Sequence, residues 1–258
     1  MGYTLIVDIG NSQIEIGIFK QDKIVNKFRF ETKKLPNAYD NKFFYNFLKK
    51  NNIDPSEIDS GMIFSVVPHI TRLVQIILTG ELGIEIDIFD PTNFLKTFNT
   101  DVDDPKEIGH DLLADVVGAI HYYGVPVVVC DLGTVTKNLI IDKDGVFRGV
   151  TFFPGARLNT NTLSDMAAQL PELKEVARPK YFYGKNTVDA MVSGIYYCHV
   201  ASTKRFMEKI DELFGYKFKK VITGGFSNLF KPEYEEKQYI VDPELVLKGM
   251  YLIYKNQK

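Results

Sequence analysis

Cysteine is scarce in this 258-residue chain, which has two. Cys130 and Cys198 stand far apart with no metal-ligand spacing, so neither a disulfide framework nor a zinc site is expected. Histidine is also sparse, and His69, His121 and His199 show no paired spacing and read as structural. An excess of one charge is missing as well. The net charge is −2 and no long basic run occurs, which argues against a dedicated nucleic-acid or membrane-surface binder. No apolar run is long enough to span a bilayer and the chain opens on a strand pattern, so a cytoplasmic protein is expected. What remains is ordinary. With 45% apolar and 25% charged residues the chain should fold, and its length permits one large domain or two of common size.

One feature is repeated. Leu5-Ile6-Val7-Asp8-Ile9-Gly10-Asn11-Ser12 runs into Ile14–Phe19, and Val127–Cys130-Asp131-Leu132-Gly133-Thr134-Val135-Thr136 runs into Asn138–Asp142. Each is an apolar strand, an acid and a glycine with small polar residues, then a second strand. Such a tip suits phosphate: glycine lets the backbone approach, N–H groups and hydroxyls bond the oxygens, and the acid manages a cation. Asp-x-Gly alone is a common turn. Two copies in matching contexts suggest a duplicated fold with a nucleotide held between its halves.

The order of elements repeats too. Strands are expected at 3–9, 13–20 and 23–31, with a turn at Gln21-Asp22-Lys23. Asn41–Lys50 sets Phe43, Phe44, Phe47 and Leu48 at helical spacing, a core stripe. A strand at Met62–Val67, a helix after Pro68 and a strand at Ile84–Phe89 follow. The aspartate-rich stretch from Asn99 to Lys106, with Pro105, reads as a hinge. After a helix over 109–123 the pattern restarts with strands at 126–132, 135–142 and 145–153, turning at Asp144-Gly145. Helices at 158–169 and 186–213, a strand at Lys220–Thr223 and a helix from Pro243 complete it. Both halves open βββα.

In this order the chain resembles the actin-like ATPase superfamily, and within it the type III pantothenate kinases. Asp8-Ile9-Gly10-Asn11-Ser12 resembles the first phosphate motif and Asp131-Leu132-Gly133-Thr134-Val135-Thr136 the second. Ser65–Pro68, Gly109-His110-Asp111, Pro154-Gly155, Asn186-Thr187 with Ser193-Gly194, Thr223-Gly224-Gly225 and Asp242–Gly249 follow in family order, over nearly the whole chain. The resemblance implies an α/β fold, a duplicated actin-like (ribonuclease H-like) architecture of two lobes, each a mixed sheet flanked by helices, here 1–105 and 106–258. It implies ATP-dependent phosphorylation of pantothenate, the first step toward coenzyme A, by a homodimer. An apolar group on the 186–213 helix, Met191, Ile195, Tyr196 and Tyr197, is one surface that could pair. There are departures: Leu112 stands where the family has arginine, Val102 where an aromatic residue is common, and Lys137 where a further threonine is usual. A kinase for another small alcohol and a catalytically weak nucleotide-binding homologue with a regulatory role therefore stay open.

Phosphoryl transfer asks the protein for positioning, charge neutralisation and a base. Asp8 at a strand end can hold hydrated Mg²⁺, or it can merely cap the turn. Ile9, Gly10, Asn11, Ser12 and Gln13 would line the terminal phosphates, with Thr134 and Thr136 from the second tip. Asp131 is either a magnesium partner or, as the resemblance implies, the seat of a monovalent cation, potassium or ammonium. Asp111 is the candidate base: it falls in the first turn of a helix, where the dipole favours its ionised form, and it is otherwise a helix cap. The resemblance places Gly109, His110, Asp111, Leu112 and Thr187 around the acceptor. Leucine at 112 cannot pair with an acceptor carboxylate, and His110, Lys137, Arg157 and Lys185 are the cations that could.

Overall fold

The structure, a computed structural model, describes residues 2–32, 42–166 and 169–257. Asn41, where the sequence starts its first helix, and residues 167 and 168 of the helix expected over 158–169 lie outside the described residues. Two compact units form. One comprises Met1–Phe98, Asp104–Ala114 and Leu247–Lys258, the other Asn99–Asp103 and Asp115–Val246.

The first unit is built on β1 (Tyr3–Ile9), β2 (Gln13–Lys20), β3 (Lys23–Glu31), β4 (Ile58–Ser65) and β5 (Asp87–Ile88), in sheet order β3-β2-β1-β4-β5. β1 to β3 pair antiparallel, and β4 and β5 add parallel. The β2–β3 turn puts Gln21 and Asp22 at φ 50° and 66°, the sense that matches strand twist. Asp22 is held there by the Tyr251 hydroxyl at 2.9 Å and Lys255 Nζ at 2.8 Å. Helix α1 (Phe43–Lys50) lays its aromatic stripe on β3, with the Phe28 and Phe47 ring centres 3.7 Å apart, as a core stripe should. β4 starts earlier than the apolar pattern indicates. Its polar first half is held by β1: Ser60 Oγ lies 3.2 Å from Thr4 Oγ1, and a Cβ on Gly61 would sit 2.9 Å from the Leu5 carbonyl. It also ends earlier, because Ser65 Oγ accepts the Val67 N–H and turns the chain into α2 (Pro68–Leu82). The strand expected at 84–89 shrinks to the two residues of β5, and α3 (Pro91–Leu95), capped by Asp90, was not legible.

The second unit repeats the plan. After α4 (His110–Tyr123), which starts in the first unit and enters the second at Asp115, come β6 (Val127–Leu132), β7 (Val135–Ile141), β8 (Phe147–Pro154), α5 (Ala156–Met166), α6 (Thr187–Phe214), β9 (Lys219–Thr223), α7 (Ser227–Glu235) and β10 (Ile240–Val241), and α8 (Leu245–Gln257) belongs to the first unit from Leu247 on. The sheet order is β8-β7-β6-β9-β10, strand for strand that of the first unit, with the same antiparallel and parallel senses. The duplicated α/β architecture is therefore present in the topology itself. β6 is buried along its whole length, as a central strand covered on both faces must be.

The chain passes between the two units within the stretch read as a hinge, while the apolar face offered for pairing fails. The stretch read as a hinge is tied to β8: Phe147 N–H donates to the Asn99 carbonyl at 2.9 Å, Asp101 N–H to the Phe147 carbonyl at 3.1 Å, and Arg148 pairs with Asp101 at 2.8 Å. The apolar group proposed for subunit pairing is core instead. Met191, Ile195 and Tyr196 are buried, the latter two packing within the unit's own cluster beside Val200, Met207 and Phe230. The end of α6 is fixed by Asp211, whose carboxylate takes Lys220 Nζ at 2.7 Å, Lys217 Nζ at 3.1 Å and the Phe218 N–H at 3.0 Å.

His199 on α6 is buried, with Nε2 at 3.1 Å from Thr136 Oγ1. Burial pulls its pKa from 6.5 down to about 4. Because the unfolded chain binds this proton more readily, the stability due to neutral His199 is complete above pH 6.5 and is lost as pH falls toward 4. The loss should approach about 3 kcal/mol. Urea unfolding at pH 7 and pH 4.5 reads it, and His199→Phe should flatten the difference.

Candidate active site

In the first unit the Asp8 tip closes on itself. Gly10 N–H donates to the Gln13 carbonyl at 2.9 Å, while Thr32 donates its N–H to the Ser12 carbonyl (3.0 Å) and its hydroxyl to the Gly10 carbonyl (2.7 Å). Thr32 thus fixes the tip from the end of β3, a role unmarked by any motif. Asn11, Ser12 and Gln13 are left exposed, and Asp8 is half-buried behind them. Ile9 pairs with Ser65 across the parallel β1/β4 ladder, and the Ser65 N–H donates to His110 Nδ1 at 3.3 Å. This bond brings Gly109-His110-Asp111 to the carboxyl ends of β1 and β4, beside the Asp8 tip. Ligands in open α/β sheets bind at such strand ends.

The bond also defines His110. An imidazole that accepts at Nδ1 carries its proton on Nε2 and is neutral, and burial holds its pKa below the usual value despite Asp111 and Asp90 nearby. The Asp111 carboxylate, half-exposed in the first turn of α4, accepts the Leu112 N–H at 2.9 Å. Gly109 permits this: a Cβ there would stand 2.6 Å from Asp111 Oδ1. Leu112 itself is 5% exposed and is part of the core.

In the second unit the β6–β7 tip holds Thr134 exposed, and the Thr134 carbonyl accepts the Gly155 N–H at 3.0 Å. Thr136 points the other way, buried against His199, so its hydroxyl does not reach this tip. Asp131 lies against the Thr223-Gly224 turn. Gly224 has φ 89°, and a Cβ on it would collide with Asp131 Oδ1 and stand 2.6 Å from the Leu132 nitrogen. Asp131 Oδ2 is paired with Lys137 Nζ at 2.7 Å, with side-chain exposures of 7% and 16%. The strand register sets Asp131 directly opposite Lys137. That partner was legible, since counting back from a hairpin turning at 133–135 pairs 131 with 137. Thr187 is the first residue of α6, but Asn186 is its cap, accepting the Asp189 N–H at 2.9 Å. Of the four cations weighed for an acceptor carboxylate, Lys137 is held by Asp131, Arg157 donates to the Lys174 carbonyl at 2.7 Å, and His110 is neutral. Lys185 is exposed. Cys130 is fully buried and its thiol pKa is pushed up, which leaves it inert. Among the described residues no three His, Cys, Asp or Glu side chains cluster as a metal site, and no helix is long and apolar enough to cross a membrane.

Comparison with known proteins gives the family. The family model for type III pantothenate kinase matches residues 4–209. The type III pantothenate kinase of Agathobacter rectalis is 34% identical, covering 98% of this chain and 97% of its own. That of Bifidobacterium longum is 36% identical, with 96% of each chain covered. Among solved structures, component A of the (R)-2-hydroxyglutaryl-CoA dehydratase of Acidaminococcus fermentans superposes with a TM-score of 0.56 at 15% identity and full coverage of both chains, a likeness of fold alone. The family model over residues 4–209 and relatives matched along almost their entire length, on a chain with two sheets of the same strand order and an acid–glycine tip on each, lead to one assignment: the chain belongs to the type III pantothenate kinase family.

Proposed function

We propose that this chain phosphorylates pantothenate with ATP, the first step of coenzyme A synthesis, using Asp111 as the base. The observation that supports the base most directly is the Ser65–His110 hydrogen bond, which seats Asp111 beside the Asp8 tip. Asp111 accepts the proton of the primary hydroxyl as that oxygen bonds to the γ-phosphorus, and the bond from phosphorus to the bridging oxygen of ADP breaks. The exposed Asn11, Ser12 and Gln13 are assigned to the phosphate oxygens, with Gly10, whose N–H is held by the Gln13 carbonyl, shaping the turn. Asp8 fits a hydrated Mg²⁺, a single half-buried carboxylate at a strand end beside a glycine turn, and the ion would offset charge on those oxygens. Thr134, exposed on the second tip, is assigned to the nucleotide as well. Gly109, His110, Leu112 and Thr187 are assigned to the acceptor, with His110 a neutral donor through Nε2.

The monovalent cation fares differently. Asp131 already carries an ammonium on Oδ2, and Oδ1 is closed in by Gly224, so these residues do not fit a free potassium ion at this carboxylate. We further propose the repeat as 1–105 and 106–258, on the identical strand order, a cytoplasmic location, and a homodimer. Tyr181, Phe182 and Tyr183 supply exposed apolar surface for pairing in place of the buried face of α6. An ADP-release assay with purified protein decides the activity: release should require ATP and pantothenate together, and release indifferent to pantothenate would sink the acceptor assignment.

A further inference from the structure

We infer that Lys137 is a built-in monovalent cation, its ammonium standing where a potassium or ammonium ion would otherwise balance Asp131, so that this enzyme works without added potassium. The inference rests on the kinase reading above. Three observations carry it. Lys137 Nζ lies 2.7 Å from Asp131 Oδ2, and both side chains are largely withdrawn from water. The β6–β7 register holds the two residues opposite each other, so the ammonium is delivered by the backbone and need not be captured from solution. Finally, the pair sits at the foot of the tip that exposes Thr134, closed on the other side by Gly224.

Charge explains why something must occupy this place. A carboxylate this buried, unbalanced, would repel the phosphates that the tip is built to receive. A lysine ammonium carries the same single positive charge as potassium and donates hydrogen bonds of its own. Being tethered, it is present at any salt concentration, whereas a free ion must be bound from the medium. An ordinary structural ion pair would stabilise the fold in the same way, so the test must read the response to the ion itself.

Turnover and thermal melting are to be compared in potassium chloride and in tetramethylammonium chloride at equal ionic strength, for the unmodified protein, Lys137→Thr and Lys137→Gln. The unmodified enzyme should change by less than about twofold in turnover and show no potassium-specific rise in Tm, since no site is left to fill. Removing the ammonium leaves a buried charge unpaired, so both variants should lose about tenfold or more in tetramethylammonium. Potassium should restore much of that loss in Lys137→Thr, which makes room for an ion, and raise its Tm. Tenfold activation of the unmodified enzyme by potassium would overturn the inference, as would a Lys137→Thr protein indifferent to potassium in both readouts. If no turnover with pantothenate is seen in any protein, the acceptor assignment falls, while the melting comparison still decides the role of Lys137.

Discussion

Asp111→Asn is expected to lower kcat by about 10²–10⁴-fold, the usual cost of a lost general base. The structure makes this a clean substitution. Asparagine keeps an oxygen that can accept the Leu112 N–H, so the start of α4 and the Ser65–His110 bond should persist. It cannot take the proton of an alcohol. Nucleotide affinity and melting temperature should therefore stay close to those of the unmodified protein while turnover collapses. Measuring all three separates chemistry from folding. Unchanged turnover would return Asp111 to the role of a helix cap.

Gly224→Ala should be strongly damaging to the second unit. Gly224 has φ 89°, and the added carbon meets the Leu132 nitrogen at 2.6 Å as well as the carboxylate of Asp131. Backbone atoms in a central sheet cannot move aside cheaply. Overpacking typically costs about 1–3 kcal/mol and a positive φ adds roughly 1–2. A fall in Tm on the order of 10 °C is expected, with ATP turnover lost alongside because Asp131 and Lys137 must shift. Gly83→Ala is the control. Its φ is 70° but nothing lies within 4 Å of the new carbon, so it should lose only the backbone share. Equal losses at the two positions would show that crowding at Asp131 contributes nothing.

The two hairpins that open each unit were legible because three signals coincide in them: buried β-branched runs, an acid–glycine tip and a two-residue or Asp-Gly turn. β5 was read too long, as 84–89, and β10 was not read, since a strand of two residues carries no period and forms only because β4 and β9 offer it an edge. α7 was hidden by Pro232 inside it and by a sequence with few apolar residues. The same contrast holds at the site. Asp8, Asp131 and Asp111 announce themselves by motif. Thr32 acts through a hydroxyl bond to a residue twenty-two positions away, and Thr136 was misplaced because it lies inside β7 and packs on His199, whereas Thr134 sits in the turn before the strand. Lys137 departs from the family pattern, and counting through the hairpin sets it opposite Asp131, as the ladder register has it.

The strand orders of the two sheets match, yet their outer margins differ in what they invite. β5 and β10 expose too little ladder to template another chain. β3 is nine residues long, but its exposed positions include Lys23, Lys27, Arg29 and Glu31, whose charges deter a neighbouring strand. β8 is the vulnerable one: Phe152 is 61% exposed there, and Arg148 is occupied by Asp142 and Asp101. Self-association of this protein under stress should therefore begin at β8, where a phenylalanine replaces the charges that guard β3.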